Sequence, residues 1–262
     1  MSIPLFSRRE QQKEVSVCKV ESLENLDLSG YEDSHNHKVP ITRFVEESWS
    51  LDSEEKVAVL NKIKDHVPLG EYLHGRIFYG VKTGLNAAFV IDSETRKELL
   101  SKDSHSRDLI KPLLKGQDIR RWRIDAKDTW IIFTRRGVNI DEYPAIRDYL
   151  SKWKEDLTPK NSRDQKRGRK PGKYRWYEIQ DDVAYFSIFD DVKIVYPDIA
   201  KGPRFQLDRS GSYLANTAYA LGTDDLYLLG LLNSRLFWFA IGSISTPFGI
   251  RAGEYRYRLI YQ

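Results

Sequence analysis

The stretch from Lys160 to Arg175 could neutralise a run of phosphates, because eight of its side chains are basic and only Asp164 is acidic. The basic residues are Lys160, Arg163, Lys166, Arg167, Arg169, Lys170, Lys173 and Arg175. Lysine and arginine release counterions when they neutralise phosphates, which gives affinity for nucleic acid without sequence information. Gly168, Pro171 and Gly172 exclude a helix here, so we predict a flexible loop that could become ordered on a groove.

A second basic segment precedes this loop and also carries a side chain that can read bases. Its members are Lys111, Lys115, Gln117, Arg120, Arg121, Arg123, Lys127, Arg135 and Arg136. Arginine and glutamine form paired hydrogen bonds with base edges in the major groove, and those pairs supply sequence specificity. The two segments together predict a surface that can both bind a polyanion and discriminate among sequences.

Charge is distributed unevenly along the 262 residues, although the net charge is only +4. Residues 1–110 carry 15 basic and 19 acidic side chains, whereas residues 111–262 carry 27 basic and 19 acidic side chains. Segregation of this kind is typical of a nucleic-acid-binding surface. A basic face that only keeps the protein in solution stays open as the alternative.

Residue types used in catalysis are present, but their spacing does not build a catalytic site. His35, Asn36 and His37 are adjacent, whereas nucleases named for these residues spread them over a hairpin and a helix. Asp198 lacks the downstream acidic residue, two before a lysine, that a metal-dependent nuclease needs, because Lys201 is the last lysine. All five histidines precede residue 106 without metal-site spacing, and no phosphate-binding glycine loop occurs. We predict no catalytic, metal or cofactor site in this chain.

Cysteine content and hydropathy indicate a cytoplasmic protein with no membrane partner. The single cysteine, Cys18, excludes a disulfide scaffold and suits a reducing compartment. The N-terminus turns polar after six residues, which is not typical of a signal peptide. The longest apolar run is interrupted by Asn233 and Arg235 and is too short to cross a membrane.

The elements that must position the basic residues alternate short strands with helices in no regular repeat. Before the basic loop we predict two strands within residues 1–48, a helix over 50–66 capped by Ser50 or Asp52, two strands within 70–92, a hairpin over 118–137 and a helix over 144–157. After it we predict strands in WYEIQ, VKIVYPDIA, RFQLD and NTAYALG, and then a buried helix from about Asp224 to Ile241 capped by Thr223. This order predicts an α+β fold with a twisted, mostly antiparallel sheet and flanking helices.

Aromatic residues beside these elements are interpreted mainly as core. Trp176 and Tyr177 follow the basic loop directly, and we predict that they fix it to the domain rather than contact a ligand. Trp238 and Phe239, in the last helix, are also predicted to be core residues.

Seven segments occur in the order that a known family shows. They are GVKTGLNAAFVID (80–92), IKPLLKGQDIRRW (110–122), YPAIRDYL (143–150), WYEIQ (176–180), KIVYPDIA (193–200), NTAYAL (216–221) and YLLGLLNSRLFWF (227–239). From Trp49 to Gln262, about four-fifths of the chain, the sequence resembles the TaqI-like C-terminal specificity domain. This is the target-recognition domain of adenine-specific DNA methyltransferases and of fused type IIG restriction-modification enzymes.

The resemblance implies double-stranded DNA as the partner and S-adenosylmethionine as the cofactor of the parent enzyme. Complete members of the family carry an upstream methyltransferase domain with a glycine-rich motif and an Asn/Asp-Pro-Pro-aromatic motif. This chain has no Pro-Pro pair, so it is not expected to be an enzyme by itself. We predict that residues 1–48 are the terminal strands of a missing methyltransferase domain and that residues 49–262 form the recognition domain. The catalytic domain is expected in the same polypeptide or in a partner subunit.

The predicted DNA contacts combine both basic segments with two residues of the first family-like segment. They are Lys82, Thr83, Lys115, Gln117, Arg120, Arg121, Arg123, Arg135, Arg136, Arg163, Lys166, Arg167, Arg169, Lys170, Lys173 and Arg175. The alternative is an RNA-binding or protein-docking module that uses the same surface. Most aromatic residues lie in apolar contexts, which disfavours recognition of single-stranded RNA. Whether the parent enzyme also cleaves DNA stays open at this point.

Overall fold

The computed structural model describes residues 13–18, 20, 27–44, 51–162, 165–245 and 257–258. Described residues up to Pro68 belong to one compact unit, and those from Leu69 onward belong to a second. The predicted domain boundary, at residues 48 and 49, lies outside the described residues. The assignment of residues 1–48 to a methyltransferase domain therefore stays a prediction.

The first unit contains the two predicted strands and the predicted helix. Its elements are β1 (Glu14–Cys18), α1 (Leu28–His35), β2 (Asn36–Pro40), a 3-10 turn (Ile41–Arg43) and α2 (Glu54–Lys64). The strands β1 and β2 pair antiparallel with each other. Helix α2 is capped by Ser53, whose side chain accepts a hydrogen bond from the backbone of Lys56. Asp52, one of the two predicted caps, instead forms an ion pair with the Lys56 ammonium at 2.6 Å.

The second unit carries all the predicted DNA-contact residues. Its strands are β3 (Ile77–Tyr79), β4 (Val90–Asp92), β5 (Ile110–Leu114), β6 (Ile119–Arg120), β7 (Arg123–Ile124), β8 (Thr129–Ile132), β9 (Lys193–Pro197), β10 (Ile199–Ala200), β11 (Gln206–Asp208), β12 (Tyr213–Leu214), β13 (Ala218–Leu221) and β14 (Tyr257–Arg258). Its helices are α3 (Leu69–Tyr72), α4 (Asn86–Phe89), α5 (Ser93–Lys102), α6 (Pro144–Ser151), α7 (Lys154–Leu157), α8 (Leu226–Leu232) and α9 (Arg235–Ile244). The 3-10 turns are Ser104–Asp108, Gly116–Asp118, Ile140–Glu142 and Phe186–Phe189.

Two four-stranded sheets and two short ribbons organise this unit. One sheet has the order β11-β9-β13-β3 and is antiparallel throughout. The other has the order β12-β5-β8-β4, and only its β12–β5 pair is parallel. The ribbons are β6–β7 and β10–β14, both antiparallel. The structure confirms the predicted α+β class with mostly antiparallel pairing, but the strands form two sheets rather than one.

Apolar side chains form two core clusters within the second unit. The larger includes Phe89, Ile131, Ile146, Leu150 and Tyr213, so it brings together β8, β12, α4 and α6. The smaller surrounds β9, β11 and β13 and receives leucines from α8. Burial of apolar surface is the main stabilising contribution to a domain of this size, and it holds the turns at the strand ends in place.

The predicted single helix over residues 224–241 is two helices. Asn233 separates α8 from α9, because its fully buried carboxamide pairs with the backbone N–H and C=O of Phe205 at 3.1 and 2.8 Å. Asp225, rather than Thr223, caps α8 by accepting hydrogen bonds from the backbone of Tyr227 and Leu228. Such side-chain bonds satisfy backbone groups that a helix end leaves unpaired.

Helices α8 and α9 are less buried than the sequence predicted. Leu226 and Tyr227 are exposed, and Phe239 is 36% exposed, so the prediction of a core Phe239 was wrong. Trp238 is half-buried and packs against the smaller core cluster, as predicted. Within the described part of the chain, no single helix has the length and composition to cross a membrane, and only the α8–α9 pair, bent by 56°, passes that test together.

Two further predictions of secondary structure were wrong, one for the hairpin over residues 118–137 and one for the segment WYEIQ. The hairpin predicted over residues 118–137 is shorter, since β6 pairs with β7 while β8 pairs with β4 and β5. WYEIQ is not a strand, although Tyr177 is buried and its carbonyl accepts a hydrogen bond from the Thr134 hydroxyl. That contact confirms Tyr177 as a core residue that fixes the end of the basic loop.

Candidate nucleic-acid interface

The turn from Leu214 to Thr217, here called the central turn, contacts two segments that carry predicted DNA contacts. On one side, the Val81 N–H donates to the Leu214 carbonyl at 2.7 Å, directly before Lys82. On the other side, the Gly116 N–H donates to the Thr217 hydroxyl at 3.0 Å, directly before Gln117. Residues from three distant parts of the sequence therefore lie on adjoining turns.

Glycine makes these approaches possible. A Cβ atom at Gly80 would lie 2.0 Å from the Ala215 carbonyl oxygen, and one at Gly116 would lie 2.2 Å from the Thr217 carbonyl oxygen. No real Cβ comes that close to backbone, so any side chain at either position would separate the turns. Asn216, in the middle of the central turn, is exposed between them.

The β6–β7 hairpin continues from the Gln117 turn and concentrates arginines. Buried Asp118 closes the turn by accepting a hydrogen bond from the Lys115 N–H at 2.8 Å, which leaves Gln117 exposed. Arg120 and Arg123 both pair with Asp125, at 3.4 and 2.9 Å. At the hairpin tip, Arg121 and Trp122 are exposed. The structure thus brings together Lys115, Gln117, Arg120, Arg121 and Arg123, as predicted for a common surface.

A cation outside the predicted set also lies near this hairpin. Burial lowers the pKa of Arg204, and the positive charge of Arg120 lowers it further. The like charges of these two guanidinium groups therefore interact, which places Arg204 beside the hairpin. Arg204 could not be singled out from the sequence, because its immediate neighbours, Pro203 and Phe205, are uncharged.

Arg169 lies inside the domain, not on its surface. Only 4% of the residue is exposed, and its guanidinium donates to the carbonyls of Leu157, Thr83 and Trp176 at 2.6, 2.8 and 2.9 Å. A longer contact, at 3.4 Å, reaches the Arg175 carbonyl. The planar fork of an arginine suits such convergent acceptors. Arg169 therefore ties the basic loop to two other segments, and its side chain is not available to DNA in this conformation.

The surroundings of Arg169 keep its charge despite burial. Burial lowers the pKa of Arg169 to about 10, and the neighbouring Arg136 lowers it as well, whereas Tyr174 and Glu178 act in the opposite direction. The Tyr174 ring lies 4.6 Å from the guanidinium carbon, a favourable distance for a cation above an aromatic face. With a pKa of about 10, the side chain is protonated at neutral pH and the carbonyls bind a cation.

Thr83 is the second predicted contact that the structure places inside. Thr83 is 2% exposed, and its hydroxyl donates a hydrogen bond to the Asn86 side-chain oxygen at 2.8 Å. Its carbonyl accepts a hydrogen bond from the Arg169 guanidinium. Lys82, next to it, stays exposed and lies 3.9 Å from the Asp181 carboxylate. The structure therefore corrects the predicted contact set: Thr83 and Arg169 support the surface from within, and Lys82 lies on it.

A substitution at Gly84 would test how tightly the Arg169 side chain is packed, because Gly84 lies against it. Its φ is +80°, and a Cβ there would lie 2.7 Å from Arg169 Cδ and 2.9 Å from Gln180 Cβ. We expect Gly84→Ala to lower the free energy of unfolding by about 2 kcal/mol or more, since left-handed backbone alone costs about 1–2 kcal/mol. Gly137→Ala is the matched control, because Gly137 has φ +82° and nothing within 4 Å of its Cβ. Urea unfolding measures both, and equal losses would contradict tight packing at Arg169.

Arg136 and Arg175 are also engaged in holding the loop. Arg136 donates to the carbonyls of Ile179 and Gln180, the latter at 2.7 Å, and lies over the Tyr174 ring. Arg175 donates to the Tyr177 hydroxyl at 2.6 Å. These hydrogen bonds hold both arginine side chains in place. Part of each side chain is still open to solvent, since Arg136 is half-buried and Arg175 is exposed. Arg135, also exposed, lies over Phe186.

The remaining cations of the basic loop differ in how freely they can move. Arg167 is bound between Glu155 and Asp156, at 2.5 and 3.0 Å, and the hydrogen bond to Asp156 raises the pKa of Arg167. Lys166, Lys170 and Lys173 are exposed, and no described residue forms a hydrogen bond or ion pair with their ammonium groups. Arg163 lies outside the described residues.

The described second half of the basic loop is bonded to the domain at Arg169. The backbone of Arg169 bonds to Thr158 and Lys160 at 3.1 and 3.0 Å, in addition to the contacts of its side chain. Mutual repulsion among the cations is reduced because Arg169 bonds to carbonyls inside the domain and Arg167 pairs with Glu155 and Asp156 on its surface. Among the described residues, no three His, Cys, Asp or Glu side chains are grouped so that they could hold a metal ion.

Most residues of this candidate surface lie in the part of the chain that matches a known protein family. The model of the TaqI-like C-terminal specificity domain matches residues 111–248, just over half of the chain. The chain belongs to this family. The matched region contains the central turn, the β6–β7 hairpin and the basic loop, whereas Lys82 lies before it. The resemblance that the sequence motifs indicated is thus confirmed.

Two type II methyltransferases are similar in sequence to most of this chain. The chain is 25% identical over 225 residues to the type II methyltransferase M.PaeR7I of Pseudomonas aeruginosa, covering 82% of this chain and 36% of that protein. It is 23% identical over 238 residues to the type II methyltransferase M.XhoI of Xanthomonas vasicola, covering 86% and 41%. The chain thus spans about two-fifths or less of these relatives' length. A solved structure of the type IIL restriction-modification enzyme MmeI in complex with DNA aligns with a TM-score of 0.44 and 14% identity, over 70% of this chain and 23% of that one.

Proposed function

We propose that this chain recognises a specific sequence in double-stranded DNA on behalf of a type II adenine methyltransferase. The catalytic domain, in the same polypeptide or a partner subunit, would bind S-adenosylmethionine and transfer its methyl group. This chain would position the duplex so that the adenine reaches that domain, a step that requires the base to leave the stack. Membership of the specificity-domain family and similarity to two type II methyltransferases support the proposal.

The observation that carries the proposal is the junction at the central turn. It places Gln117 and Lys82, which are 35 positions apart in the sequence, on turns that contact the same four residues. A rigid backbone with exposed polar side chains suits base recognition, because readers must be held in fixed geometry. The flanking cations of the hairpin and the basic loop then supply affinity for phosphates.

Gln117 and Asn216 are the side chains best suited to read bases here. Both are exposed, and their carboxamides have no hydrogen-bond partner among the described residues. A carboxamide pairs well with adenine in the major groove, because its oxygen accepts a hydrogen bond from the N6 amino group while its own amino group donates to N7. The sequence motif NTAYAL contained Asn216, yet its position beside Gln117 depends on the contact between Gly116 and Thr217.

A selection experiment tests the proposal. The chain is mixed with duplexes that share fixed ends and a randomised centre, and the bound fraction is sequenced. We expect a defined site to be enriched, with adenine preference at one or two positions that Gln117→Ala and Asn216→Ala remove. The loss of each bidentate pair should reduce discrimination by about 1–3 kcal/mol without weakening all sequences alike.

Asn61→Ala removes an exposed carboxamide from α2 and should leave the enriched site unchanged. If no duplex site is enriched, the proposed function is refuted. If single-stranded RNA with the same randomised sequences competes better than duplex DNA, the RNA-binding alternative is favoured instead.

A further inference from the structure

The tip of the β6–β7 hairpin holds a tryptophan in an unusual conformation. Arg120 pairs with Arg123, so the turn between them consists of Arg121 and Trp122 alone. Trp122 has a φ of +67°, and only one other non-glycine residue of the described chain, His74, has a positive φ. The second position of such a turn normally holds glycine or asparagine, because a bulky side chain is strained there.

Exposure makes the presence of Trp122 harder to explain by packing. Trp122 is 51% exposed, whereas Trp130, Trp153, Trp176 and Trp238 are half-buried. The Arg121 guanidinium carbon lies 5.7 Å from the centroid of the Trp122 ring. A residue that is both strained and half in solvent stabilises the fold less than glycine or asparagine would in the same turn. Observed strain of this kind is a reason to look for a function.

The hairpin around Trp122 is held firmly and is positively charged. The Asp125 N–H donates to the Asp118 carbonyl at 2.8 Å, and Asp125 also binds Arg120 and Arg123. The strands β6 and β7 pack against β9 and β11 of the antiparallel sheet. The ring is therefore presented at the end of a fixed ribbon, with three arginines within two residues of it.

We propose that Trp122 stacks on the face of a nucleobase in the bound duplex, at a step where the stack is opened. The inference rests on the proposed function and adds the residue and the type of contact. Aromatic rings stack on bases of any sequence, and flanking cations hold the phosphates on either side of the opened step. Trp122 thereby contributes to affinity and to distortion of the duplex, whereas Gln117 and Asn216 contribute to sequence preference.

The test compares stability with binding in four proteins: wild type, Trp122→Asn, Trp122→Gly and Trp122→Phe. Asparagine and glycine fit the positive φ, so their unfolding midpoints should be unchanged or about 2–4 °C higher. The same two variants should bind the duplex recovered by the selection experiment about ten-fold or more weakly, because the stacking contact is lost. Trp122→Phe keeps an aromatic face and should bind close to wild type.

A fluorescent base identifies stacking rather than a general contact. Adenines of the selected duplex are replaced one at a time by 2-aminopurine, whose emission changes when its stacking partners change. Wild type and Trp122→Phe should change the emission at one position, and Trp122→Asn should not. Lower midpoints with unchanged binding would show that Trp122 is only structural, and equal binding by wild type and Trp122→Asn would overturn this inference alone. Failure of wild type to bind any duplex would overturn the proposed function and this inference with it.

Discussion

Arg169→Ala is expected to lower the free energy of unfolding by about 3–5 kcal/mol, since each buried acceptor that loses its donor costs about 1–3 kcal/mol. The carbonyls of Leu157 and Trp176 would lose their Arg169 donor, and the Thr83 carbonyl would keep only the hydrogen bond from the Gln180 N–H. Because these carbonyls belong to three segments, the variant should also release the basic loop from the domain. Urea unfolding measures the first effect, and faster tryptic cleavage within residues 160–175 measures the second.

Arg167→Ala is the matched control for this result. It removes a guanidinium two residues away, whose partners Glu155 and Asp156 are on the surface. Exposed ion pairs contribute little to stability, so the unfolding midpoint should hardly change. Arg169→Lys keeps a cation but not the planar fork, and it should recover only part of the loss. If Arg169→Ala and Arg167→Ala were equally stable, the buried role of Arg169 would be refuted.

This contrast shows what the sequence could and could not predict about the site. Arg167 and Arg169 stand in the same RGRK motif, and composition treats them alike. Their different roles depend on carbonyls at positions 83, 157 and 176, which approach Arg169 only when the domain has folded. The prediction of a basic surface depended on charge alone, so it included a buried arginine with the exposed lysines.

The same distinction between local and distant causes applies to the fold. Helix α2 was predicted near its observed position, because apolar spacing is a local signal. The single helix predicted over 144–157 begins at Pro144 as predicted, but it is divided into α6 and α7 around Lys152 and Trp153. The break between α8 and α9 was not predicted, since it depends on Asn233 pairing with Phe205, 28 residues earlier. The pairing of β8 with β4 and β5, rather than within a long hairpin, likewise follows from tertiary contacts.

Because Arg169 is buried, the side chains of the basic loop to test as phosphate contacts are its exposed lysines. Substituting Arg169 together with its neighbours would combine loss of the fold with loss of binding, so the informative variant leaves it intact. Lys166, Lys170 and Lys173 are exposed, and none of the described residues bonds their ammonium groups. The Tyr174 hydroxyl bonds the backbone carbonyl of Lys170, a contact that alanine retains.

The triple variant Lys166→Ala, Lys170→Ala, Lys173→Ala should make duplex binding much less sensitive to salt. Each phosphate contact contributes about −0.9 to the slope of log K against log salt, so three lost contacts change the slope by about 2.7. Affinity should therefore fall most at low salt, equally for all sequences, with the enriched site unchanged. The matched control is Lys97→Ala, Lys102→Ala, Lys152→Ala, which removes three exposed lysines on α5 and at the end of α6. Because both variants lower the net charge equally, a similar change in slope for the two would show that overall charge, rather than contact by the basic loop, determines the affinity.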